Sequence, residues 1–172
     1  MTEKRLGKHT VKLKDPVYIL SAASTAGRKE GEGPLKDLFD RVMEDDTCGE
    51  DSWEKAESKL VSDNFTLALE KAGLTNSDVD YCITGDLLNQ DSASTFGVRD
   101  LNIPFLGIFG ACSTMGEGMG IGSMLIDGGF SENIVVGASS HFCAAEKQFR
   151  APLGMGSQRP PTSTWTVTGD GA

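Results

Sequence analysis

Cys112 has the setting in this sequence that most invites chemistry. It stands in Gly110-Ala111-Cys112-Ser113-Thr114, between an apolar run at Phe105–Phe109 and a nearly uncharged segment ending at Asp127-Gly128-Gly129. If the run is a strand and the segment a helix, the thiol lies where unpaired helical N–H groups carry partial positive charge. That position favours the thiolate, lowers the thiol pKa, and suits either a nucleophile or a contact to a bound anion. The same N–H groups can hold a carboxylate or an oxyanion. A cysteine buried for its size is the plainer alternative; position, not residue type, favours the chemical reading.

Other side chains join this candidate site. Ser113 follows the thiol directly, and Asn89 and Gln90 come after Gly85-Asp86 at an expected strand end, where their amides could donate to a carboxylate or simply form a turn. Gln148 and Arg150 lie in an expected loop that could cover the pocket; arginine suits carboxylate recognition, although a surface role is the plainer expectation for Arg150. His9 sits in a polar stretch and is expected at the surface. His141 follows an apolar strand and could reach the site, although a loop or surface role is the plainer expectation for it too. Cys48, Cys82 and Cys143 lack metal-type C-x2-C spacing and read as reduced packing thiols. No metal ligand set is expected, and Trp53 and Trp165 read as core or interface aromatics.

The elements that position these residues follow from periodicity. Val17-Tyr18-Ile19-Leu20-Ser21-Ala22 reads as a short buried strand. Residues 29–51 are acidic and broken by Gly31, Gly33, Pro34 and Gly49, hence mostly loop, with a helical turn or two around 35–43. Asp51 and Glu54 form a capping-box pattern ahead of a helix whose apolar face runs through Trp53, Ala56, Leu60, Val61, Phe65, Ala68 and Ala72. Gly73 stops it. A strand at 79–84, a short helix at 93–101, the strand at 105–109 and a strand at 133–137 follow; 141–161 reads as irregular and 164–168 as a late strand. Strands alternating with helices imply a layered α/β sheet with mainly parallel pairing. The helix at 113–126 carries Gly116, Gly118, Gly120 and Gly122, each costing about 1 kcal/mol against alanine. With Met115, Met119, Ile121, Met124 and Leu125 around them, it reads as a central helix packed on every side.

Composition narrows the partners. The chain has 172 residues, a net charge of −9 and a pI near 4.7, which argues against nucleic acid and against direct binding to anionic lipid headgroups. No apolar run approaches the ~20 residues that span a bilayer. Nothing apolar follows Met1-Thr2-Glu3-Lys4-Arg5, so no signal peptide is expected and the location reads as intracellular.

The Cys112 motif, the small-residue helix, Asp127-Gly128-Gly129 and the strand Ile134–Gly137 resemble the nucleophile region of thiolases and ketoacyl synthases. Gly169-Asp170-Gly171-Ala172 is similar to the run that opens the second half of many such proteins. Further stretches resemble the stage V sporulation AD family of spore-forming bacteria: Lys29-Glu30-Gly31-Glu32-Gly33-Pro34-Leu35, residues 49–57, Gly85-Asp86-Leu87-Leu88-Asn89-Gln90, residues 103–114, Glu146-Lys147-Gln148-Phe149-Arg150, Pro160-Pro161-Thr162 and residues 165–169. The resemblance runs from about residue 8 to the last residue.

The resemblance implies the N-terminal half of a thiolase-like layered α/β fold, spanning residues 1–172 as one domain, with a mixed, mainly parallel sheet and a buried central helix. It implies binding of dipicolinic acid (pyridine-2,6-dicarboxylate), alone or as its calcium chelate, with Cys112, Ser113, Asn89, Gln90 and Arg150 around it and no catalytic residue or cofactor. It also implies membrane partners among the stage V sporulation proteins, a place in the spore peripheral to its inner membrane, and a homodimer, since half of a layered core exposes an apolar face. Acyl transfer through Cys112 is the alternative. It would need a histidine that thiolases supply from their second half, and neither His9 nor His141 matches it.

Overall fold

A computed structural model describes residues 4–149 and 169–171 of the chain. The expected late strand at 164–168, with Trp165, and the side chain of Arg150 lie outside the described residues.

The chain opens with a small antiparallel hairpin, β1 (Arg5–Leu6) and β2 (Thr10–Val11). The main sheet then takes β3 (Thr25–Ala26) and β4 (Arg41–Val42), followed by α1 (Trp53–Ala72), β5 (Tyr81–Gly85), α2 (Ser92–Val98), β6 (Phe105–Gly107), α3 (Thr114–Asp127), β7 (Ile134–His141), α4 (Phe142–Phe149) and β8 (Gly169–Gly171). Its strand order is β4-β3-β8-β7-β5-β6. The β3–β4, β5–β6 and β5–β7 pairs are parallel, whereas β8 runs antiparallel between β7 and β3. The sheet is therefore mixed and mainly parallel, as expected.

Successive strand residues point to opposite faces, and the core follows that alternation. Cys82 and Val135 join Val61, Phe65 and Leu69 of α1 and Val98 of α2 in one apolar cluster. Val136 and Ile83 face the other way, toward α3, where Gly118 lies against them. Helices thus cover both faces.

α1 forms as its spacing predicts, but its cap lies one residue later than expected. Ser52, not Asp51, accepts the Lys55 N–H, while Asp51 pairs with the Lys55 ammonium. Gly73 ends the helix at φ 70°, a left-handed conformation that costs glycine little. The buried face also carries two polar residues, Glu57 and Asn64.

Four further expectations are corrected. No strand forms at 17–22: Tyr18, Ile19 and Leu20 are exposed, and the paired residues are Thr25 and Ala26. The anchor there is tertiary, because the buried Thr25 hydroxyl donates to Asn64 on α1 at 2.6 Å. α3 is not packed on every side. It buries Thr114, Gly118 and Gly122 against the sheet, while Met119 and Met124 are exposed and a side chain at Gly116 or Gly120 would meet nothing. Gly118 allows the close approach to Val136, whereas the outer pair faces open space where a Cβ would fit. Finally, 142–149 is a helix, α4, and His141 is neither loop nor surface. It closes β7 at 2% exposure with both ring nitrogens engaged.

Two of the three expected packing thiols are enclosed, whereas Cys143 is only half-buried. Cys48 and Cys82 are buried, and burial pushes their thiols up to about 11 and about 12. His9 is exposed.

Candidate functional site

In parallel α/β sheets, ligands bind beyond the carboxyl ends of the strands, and the candidate residues gather there. β5 ends at Gly85, where a Cβ would overlap the Ile108 carbonyl oxygen and lie 3.2 Å from Thr114 Cγ2. A side chain on Gly107 would come 3.3 Å from Asp91 Oδ2. Asp91 of the loop after β5 thus lies close to the end of β6, and the end of β5 lies close to Ile108 and the start of α3, so the two loops leave the same end of the sheet from neighbouring strands.

Cys112 is exposed, in a 3-10 turn over Ala111–Ser113 that leads into α3. Ala111 adopts φ 48°, a left-handed conformation unusual for a residue with a Cβ. The Ser113 hydroxyl and N–H both donate to the Gly110 carbonyl, at 2.7 and 3.0 Å. The buried Thr114 hydroxyl accepts the Gly110 N–H at 3.2 Å. Ser113 thus holds the turn, and α3 begins without a side-chain cap. Glu117, in the first turn of α3, brings its carboxylate alongside Gly110. This acid stands at the mouth of the site and offsets part of the positive helix end.

Asn89 and Gln90 are both exposed on the neighbouring loop. Gln90 and Asp91 are left-handed at φ 63° and 48°, two consecutive strained residues. Asp86 anchors the loop from beneath. At 1% exposure, it accepts the N–H of Leu88 at 2.7 Å and of Ser94 at 2.6 Å. Burial, and then the nearby Asp86 charge, push the Asp91 carboxyl up from its ordinary value. Asn89 donates its backbone N–H to the side-chain oxygen of Gln148 on α4 at 2.8 Å.

The structure thus brings Cys112, Ser113, Asn89 and Gln90 to one end of the sheet. The sequence reading did not single out Asp86, Asp91 or Glu117 as site residues, although Gly85-Asp86 and the one acid ahead of Asp127 in a nearly uncharged helix were visible signals. Among the described residues no group of three or more His, Cys, Asp and Glu side chains is placed to hold a metal ion.

Comparison with known proteins decides the family. The family model described as stage V sporulation protein AD matches residues 7–172. The chain belongs to the stage V sporulation protein AD family. Its relative in Bacillus subtilis (strain 168), the stage V sporulation protein AD, is 46% identical over 169 residues, covering 98% of this chain and 50% of the relative. The chain spans about half the length of that relative. A sporulation protein is therefore the coarse identity, and the resemblance read from the Cys112 motif and its companion stretches is borne out.

Solved structures give the fold. 3-oxoacyl-(acyl carrier protein) synthase III from Xanthomonas oryzae matches with a TM-score of 0.55 at 14% identity, over 93% of this chain and 56% of that one. Acat5 thiolase from Ascaris suum, solved with coenzyme A, matches at 0.53 and 19% identity, over 90% of this chain and 36% of that one. The chain thus shares the thiolase-like fold, and likeness at this identity speaks for the fold alone. No described helix is long and apolar enough to cross a membrane.

Proposed function

We propose that this chain belongs to a sporulation protein that binds dipicolinic acid at the carboxyl end of its sheet and supports uptake of that ligand into the developing spore. The supporting observation is the exposed Cys112 turn at the uncapped start of α3, at the same end of the sheet as the exposed Asn89 and Gln90. Helical N–H groups and amide donors suit a planar dicarboxylate. Local donors of this kind let a protein of net charge −9 hold a dianion. Arg150, a candidate from the sequence, would add a cation suited to carboxylates. Ligand transfer would involve membrane-embedded stage V sporulation proteins, with this chain peripheral to the inner spore membrane. A second copy would cover the exposed outer side of α3.

Isothermal titration of dipicolinate, with and without calcium, into the 172-residue chain and into its full-length Bacillus subtilis relative tests the reading. Saturable binding that weakens when Cys112 is replaced by tryptophan supports it. Absence of heat at millimolar ligand with both proteins overturns it.

Acyl transfer is the second reading, favoured by the exposed thiol at a helix start. The ring nitrogens of His141 are occupied by Asp46 and Ala144, which leaves that histidine no hand in the reaction as it stands. Incubation with acyl-CoA followed by intact mass discriminates: an adduct on Cys112 supports transfer, and an unmodified chain supports binding alone.

A further inference from the structure

His141 lies at the junction of β7 and α4, 2% exposed. Its Nε2 is 2.6 Å from the Asp46 carbonyl oxygen, and Nδ1 accepts the Ala144 N–H at 3.4 Å. A carbonyl only accepts and an N–H only donates, so the ring must be neutral with its proton on Nε2. The imidazole is thereby the side-chain cap of α4, joining the 46 loop to that helix. At the other end of α4, Gln148 holds the Asn89 N–H at 2.8 Å. Eight residues form a short helix, marginal without its caps.

We propose that α4 is a pH-sensitive latch on the candidate site: neutral His141 caps its first turn, Gln148 in its last turn holds Asn89, and protonation of His141 releases the Asn89–Gln90 loop. A protonated Nδ1 can no longer accept from Ala144, and the resulting cation sits at the positive end of the helix. The freed loop already holds two strained left-handed residues, Gln90 and Asp91, so it relaxes once Gln148 lets go.

The groups around the ring set the balance. Burial opposes the charged form and lowers the His141 pKa below its ordinary 6.5, while the Asp46 carbonyl and the charges of Asp46 and Glu54 push the other way. Glu54 is paired with Lys147 of α4 at 2.7 Å. Glu57 of α1 accepts from Ser139 two residues before the ring, Glu146 of α4 is itself buried, and Cys143 carries a thiol raised by burial and Asp46. Asp91 titrates within the loop itself, so the test needs a variant that removes only the imidazole.

Amide hydrogen exchange at Asn89, corrected for the intrinsic pH dependence, reads the latch without any ligand. As the His141 ring protonates, followed by its NMR shifts, Asn89 protection is expected to fall about fivefold, the worth of one hydrogen bond. His141→Asn keeps a capping side chain that does not titrate, and its Asn89 protection should be flat with pH. Gln148→Ala should lose Asn89 protection at every pH while His141 titrates as before. Flat protection in the wild type through the His141 titration, or the same fall in His141→Asn, overturns the latch. Its effect on dipicolinate rests on the function proposed above. Affinity that weakens with His141 protonation only in the wild type supports the link to the site, and equal affinity on both sides of the titration overturns it. Absence of dipicolinate binding at both pH values overturns the proposed ligand, with the exchange data still deciding the latch.

Discussion

Ser139 on β7 donates its hydroxyl to Glu57 Oε1 on α1 at 3.0 Å, inside the core, with Glu57 fully buried. This bond fixes the first half of α1 against the strand that ends at His141. A buried carboxylate is costly unless hydrogen bonds hold it, so losing this donor should be felt. Ser139→Ala is expected to destabilise the chain by about 1–3 kcal/mol. Urea unfolding should show a lower midpoint at unchanged slope; an unchanged midpoint would mean the bond contributes nothing.

α3 offers a contrast within one helix. A Cβ on Gly118 would sit 2.6 Å from Val136 Cγ1 and 3.3 Å from Ile108 Cδ1, whereas one on Gly116 would meet nothing within 4 Å. Gly118→Ala should cost about 1–3 kcal/mol through overpacking. Gly116→Ala should instead stabilise by up to about 1 kcal/mol. Thermal melts of the two variants check the opposite signs.

Asp127 ends α3 at the unfavourable pole of the helix dipole. It is held by the Lys4 ammonium at 2.5 Å and the Lys14 N–H at 2.6 Å. The Lys4 hydrogen bond holds its carboxyl below the ordinary 3.8. A depressed folded pKa gives stability that is present above the unfolded value and lost as pH falls through the folded one. Asp127→Asn should therefore lower stability at neutral pH and flatten its decline in acid. Circular dichroism melts across an acid titration test this, and parallel pH curves for both proteins would contradict it.

The thiols should differ sharply in reactivity. Cys112 is exposed, whereas burial raises Cys48 to about 11 and Cys82 to about 12. A disulfide reagent at neutral pH is expected to label Cys112 first, and Cys48 and Cys82 only on unfolding. Fast labelling of Cys82 in the folded chain would contradict the described core.

Local signals made part of this fold legible. α1 announced itself through apolar 3/4 spacing and Gly73, and the Cys112 turn through a strand, small residues and an uncharged helix. Other features were set by partners distant in sequence. Val17–Ala22 is more apolar than Thr25-Ala26, yet pairing with β4 and β8 places the strand at the latter. α4 begins with no Ser, Thr, Asp or Asn, because a histidine caps it. α3 carries enough apolar residues to be enclosed, but sequence cannot say how many faces the sheet supplies. Within the site, Cys112 was visible from its place between a strand and a helix, and Asn89 and Gln90 as amides after a strand end, whereas the anchoring role of Asp86 depends on loop closure.

The most direct test of a dicarboxylate site at the start of α3 is the alkylation rate of Cys112 with and without dipicolinate, with benzoate as the single-carboxylate control. The account predicts several-fold slowing by saturating dipicolinate and little by benzoate. An unchanged rate, at a dipicolinate concentration that gives a full calorimetric signal, would place the ligand elsewhere and contradict it.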